Sequence, residues 1–68
     1  MKTPAVLRRS WSSVELINGI LAYEEGGLEH DEIVELFQQL IDSGVAWTLQ
    51  GFYGRTAMAL IESGECHR

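Results

Sequence analysis

Glycine falls where apolar periodicity stops in this chain, and that pairing narrows the possible folds more than any other feature. Gly26 and Gly27, Gly44, and Gly64 each follow a run in which apolar residues recur every three or four positions. Glycine enters the left-handed backbone region that closes a helix without a Cβ penalty. The pentamers "LIDSG" at 40–44 and "LIESG" at 60–64 repeat this grammar almost letter for letter. In both, Leu-Ile turns inward, an acid and Ser face water, and Gly ends the helix. The twin endings read as helix termini, not as a duplicated functional motif.

Three helices follow, at about 13–25, 30–43 and 52–63. Ser12 and Glu15 match a capping box at the start of the first. Its apolar residues form a broad face: Val14, Ile17 and Leu21 recur at helical spacing, as do Leu16, Ile20 and Tyr23. Gly19 inside it marks a close helix crossing. The second helix carries Glu29, Asp31 and Glu32 at its beginning, where the helix dipole favours negative charge. Ile33, Leu36, Phe37, Leu40 and Ile41 line one side, with Val34 at the margin. In the third, Ala57, Leu60 and Ile61 face inward, and Gly54 and Ala57 permit close approach. "VAWTLQ" reads equally as a helical turn or a short extended link. The fold class is all-α, a small three-helix bundle.

Sixty-eight residues make one domain near the lower limit for unaided folding. One cysteine allows no internal disulfide, so helix packing or a second copy must supply the stapling. Residues 12–66 read as the helical domain and residues 1–11 as a basic, flexible N-terminal segment. No apolar run nears the roughly 18 residues needed to cross a bilayer, and none follows the basic N-terminus as a signal peptide would require. A cytoplasmic setting is expected, with no membrane partner.

The net charge is −5, unevenly spread. Residues 1–9 hold Lys2, Arg8 and Arg9 without an acid, while residues 10–54 hold eight acids without Lys or Arg. Such a surface repels a phosphate backbone, so direct nucleic-acid binding is disfavoured. Solvation of helix faces explains most of these acids. A functional alternative places Glu24, Glu25, Asp31, Glu32 and Glu35 in an acidic patch that mimics nucleic acid and blocks a DNA- or RNA-binding cleft.

Chemistry is hard to find. The carboxylate pairs lack an apolar pocket that would split acid and base roles. "GFYGR" has two glycines but no P-loop lysine and no preceding strand. Cys66 and His67 are neighbours in a segment expected to fray, and zinc would need two further ligands, for which His30 and Glu62 are the nearby suggestions. No catalytic residue, metal or cofactor is assigned, and the chain does not read as an enzyme.

One cluster remains: Trp47, Gln50, Phe52, Tyr53 and Arg55. It gathers three of the six aromatics and the sole basic residue between positions 10 and 67. Core closure by the aromatics, with Arg55 paired to an acid, is the plain structural reading. The functional one is a recognition face, since aromatics and arginine dominate interface hot spots. A helix–turn–helix comparison also arises here, but the third helix offers one arginine against Glu62 and Glu65.

The stretch from "YEEGGLEHDEIVELFQQLIDSG" through "VAWTLQGFYGRTAMALIESGEC", residues 23–66, resembles a widespread family of small uncharacterised proteins from tailed bacteriophages, the resemblance covering about residues 14–66. The resemblance rests on the segment Leu49, Gln50, Gly51, Phe52, Tyr53, Gly54, Arg55, Thr56 and Ala57, matching Leu-Gln-Gly-x-Tyr-Gly-Arg-Thr-Ala. Phe52 stands where a smaller or more polar residue is usual, which adds an exposed apolar contact. The resemblance implies a phage origin and action in the host bacterial cytoplasm; it implies no activity. The expected function is binding a host bacterial protein, such as transcription machinery or an antiviral defence complex, through Trp47, Gln50, Phe52, Tyr53 and Arg55. The alternatives are the acidic mimic and a self-assembling helical module that pairs as a homodimer.

Overall fold

The computed structural model describes residues 11–68. The basic segment with Lys2, Arg8 and Arg9 lies outside the described residues. Three helices form a bundle: α1 (Ser13–Glu24), α2 (His30–Ser43) and α3 (Gly51–Glu62), with a single 3-10 turn (Val45–Trp47) between the last two. The ambiguous "VAWTLQ" is therefore helical in its first half. Thr48 closes that turn, its N–H and hydroxyl both donating to the Val45 carbonyl at 2.9 and 2.8 Å.

α1 starts on the expected box. The Ser12 N–H donates to Glu15 Oε1 at 2.8 Å, and the Glu15 N–H donates to Ser12 Oγ at 3.2 Å. Two donors that helix geometry would otherwise orphan are satisfied reciprocally. α2 begins at Glu29, whose N–H donates to the Glu32 carboxylate at 2.9 Å. It ends on Gly44 with φ of 82°, the left-handed stop its sequence calls for. Gly64 likewise takes positive φ just after α3.

The core is organised around α2. Leu36, Phe37, Leu40 and Ile41 are buried, joined by Ala46 from the 3-10 turn and by Tyr53, Ala57 and Leu60 from α3. Tyr23 of α1 meets Phe37 edge-on at 5.3 Å, and Phe37 stacks on Tyr53 at 5.8 Å. Both are favoured aromatic geometries. Leu16, Ile20 and Tyr23 form the inner face of α1, whereas Val14, Ile17 and Leu21 point to solvent. The broad apolar face expected of α1 is thus two stripes, and only one packs. Ile61, expected inside, is half-buried.

Two boundaries move. Trp11, assigned to the N-terminal segment, belongs to the domain: its N–H donates to Gln39 Oε1 at 3.0 Å, and its ring packs beside Gly19. A Cβ on Gly19 would stand 2.8 Å from Leu36 Cδ1 and 3.1 Å from the Trp11 ring, which explains the glycine inside a helix. The segment after α3, expected to fray, is docked instead. Cys66 is buried at 2% exposure and its thiol donates to the Val34 carbonyl. Gln38 grips the main chain of His67 on both sides. Its amide Nε2 donates to the His67 carbonyl at 2.7 Å, while the His67 N–H donates to Gln38 Oε1 at 3.0 Å.

Candidate functional site

The 3-10 turn and α3 divide the expected recognition cluster between inside and outside. Tyr53 goes inside. It is 2% exposed, stacked in the core, and its hydroxyl donates to Glu24 Oε2 at 2.8 Å. Burial, reinforced by that hydrogen bond, pushes the phenol above its ordinary value. Expected among the contact residues, Tyr53 instead serves the core, because helical spacing from Ala57 and Leu60 turns it onto Phe37. Its hydroxyl also ties α3 to the end of α1, a polar closure beyond reach of local pattern.

The other four members are exposed. Trp47 keeps 42% of its surface and Phe52 36%, while Gln50 and Arg55 face solvent. Phe52 lies on Tyr53 at 4.3 Å between ring centres, so one edge of it is anchored while the other stays wet. Arg55 makes no hydrogen bond or ion pair among the described residues. The expected pairing with an acid does not form among the described residues; there His30 Nε2 meets Glu65 Oε2 at 2.7 Å, an ion pair when His30 is protonated. His30 has its pKa raised by that hydrogen bond first and by the nearby negative charge second.

Trp47 and Arg55 line one shallow groove of about 460 Å³, together with Gly51, Gly54, Met58, Ala59 and Glu62. Its glycines leave the side chains close to the backbone: a Cβ on Gly54 would be in ordinary contact with the Trp47 ring at 3.8 Å, and one on Gly51 would lie 3.2 Å from the Arg55 guanidinium, the movable end of an exposed side chain. Arg68, from the docked segment, sits over the Trp47 ring at 5.2 Å, and one of its nitrogens reaches Met58 Sδ at 3.1 Å. A guanidinium over indole is a cation–π contact. Sequence reasoning missed Met58, Ala59, Glu62 and Arg68 here; their common helical phase with Gly51 and Arg55 was the available signal for the first three.

The acids Glu24, Glu25, Asp31, Glu32 and Glu35 are all exposed, at the end of α1 and the first half of α2. Glu24 is engaged with Tyr53 and Glu32 with the start of α2. Among the described residues, no three of His, Cys, Asp and Glu come together as a metal site. Nor is any described helix long and apolar enough to cross a membrane.

Fold and surface together define a small all-α domain with an open, aromatic-walled groove. Residues 13–68 match the family described as Domain of unknown function (DUF7417), and the chain belongs to that family. No curated protein and no solved structure matches it.

Proposed function

We propose that the chain is a non-enzymatic bacteriophage protein that works in the host bacterial cytoplasm by binding a host protein and altering its activity. Transcription machinery and antiviral defence complexes are the target classes in view. The observation that carries this reading is Arg55. It is the sole Lys or Arg between positions 10 and 67, yet among the described residues it is left without an acid on a chain of net charge −5. It stands beside the half-exposed Trp47 over a floor of glycines. Exposed tryptophan and an unsatisfied guanidinium are the side chains that most often dominate binding when a partner covers them. Gln50 and Phe52 extend the face along the start of α3.

Capture from bacterial lysate tests this, with wild type beside Trp47→Ala, Phe52→Ala and Arg55→Glu. One host protein should be retained by wild type and lost at least tenfold on Arg55→Glu, in the range of hot-spot losses. Recovery of no partner, or equal recovery by all four chains, ends the proposal. A second reading, the nucleic-acid mimic, draws on the exposed acids Glu24, Glu25, Asp31, Glu32 and Glu35. It predicts capture that survives Arg55→Glu, disappears when those acids are neutralised, and weakens steeply with salt.

A further inference from the structure

The outer face of α3 carries its charges in a register that matches itself. Arg55 and Glu62 are seven residues apart, hence within about 20° of each other around the helix and about 10 Å apart along it. That separation is too great for them to pair within one chain, and neither has an ion pair among the described residues. Met58 and Ala59 lie midway between them, and Gly51 adds a further small residue in line. Gly51, Arg55, Ala59 and Glu62 are exposed and Met58 half-buried. Small side chains let two helices approach closely, near the short end of the usual 8–10 Å interaxial range.

We infer that this face binds a second copy of the chain, with α3 packed antiparallel on α3 about a two-fold axis near Met58 and Ala59. In that arrangement Arg55 of each chain meets Glu62 of the other. The contact is isologous, so each charge pair occurs twice. Trp47 of each chain flanks the paired helices at the rim, where Arg68 of the same chain lies over its ring and against Met58 and must shift or join the contact. The crowded acids Glu24, Glu25, Asp31, Glu32 and Glu35 belong to α1 and α2, not to the contact face. The interface is small beside the ~1,200 Å² of stable complexes, so the dimer is transient. This inference does not depend on the host-protein reading, although both use Arg55. Phe52 lies about a quarter-turn away from the self-pairing face.

Sedimentation of the full chain, in a concentration series up to about 1 mM, gives the test. Wild type should show a reversible monomer–dimer equilibrium. Arg55→Glu and Glu62→Arg should each raise its dissociation constant roughly tenfold or more by opposing like charges twice over. The double swap, Arg55→Glu with Glu62→Arg, should return it to within about threefold of wild type. Ala59→Leu should abolish dimerisation by holding the helices apart, with unchanged circular dichroism showing that the fold persists. A monomer at every concentration overturns the proposal. So does a double swap no better than the singles, or a dimer dissolved by Leu21→Glu but indifferent to α3. Failure here leaves lysate capture free to succeed, and a double swap that dimerises but captures nothing separates the two functions of Arg55.

Discussion

α1 and α2 invert the simple expectation that the more apolar helix is the more buried one. On average α1 is the more apolar of the two, yet none of its residues is fully buried, while α2 buries six consecutive residues from Leu36 to Ile41. The difference lies in position and phase. α2 runs through the middle, and its second half is covered all round by α1, the 3-10 turn, α3 and the docked segment at Cys66 and His67. α1 places Leu16, Ile20 and Tyr23 on one side and Val14, Ile17 and Leu21 on another, and a bundle of three has only one core to offer. Arrangement, more than total hydrophobicity, decides what is hidden.

That contrast can be broken at several strengths. Phe37→Ala is the severest test: it removes the ring at the centre of the Tyr23–Phe37–Tyr53 cluster and should cost about 3–5 kcal/mol. For a domain of this size that is enough to erase a cooperative urea transition, and a loss under 1 kcal/mol would show that α2 is not the keystone. Ser12→Ala should cost about 1 kcal/mol by removing one side of the capping box. Because α1 has no deeply buried anchor, faster amide exchange should then be confined to its first turns; uniform acceleration across the bundle would mean α1 is as tightly held as α2. Leu21→Ser is the mildest, expected within about 0.5 kcal/mol because its side chain already faces water. A larger loss would place the outer stripe of α1 under cover that the described residues do not supply.

The helices were legible because their signals are local. Ser12–Glu15 at one end and Gly44 or Gly64 at the other fix limits within a few positions, and one-sided spacing of Leu36, Phe37, Leu40 and Ile41 marks the core. What stayed hidden depends on contacts far apart in the chain. Periodicity could not choose between the two stripes of α1, since each repeats at helical spacing. Nothing near Gln38 announces that it will meet His67, 29 positions away. The proposed recognition cluster is chosen by residue type, and residue type cannot separate Tyr53, turned inward, from Trp47 and Arg55, turned outward. Only the helical phase of α3 against α2 does that.

The grip of Gln38 on position 67 is indifferent to which side chain stands there. Both bonds are made to the main chain of residue 67, so histidine, alanine or lysine there would be held alike. Proline is the exception, because its ring nitrogen has no hydrogen to give. Conversely, Gln38 itself has almost no freedom: glutamate would offer no donor to the carbonyl, and leucine would strand both peptide groups. The seam is thus sensitive to the side chain at position 38 and blind to the one it holds at 67.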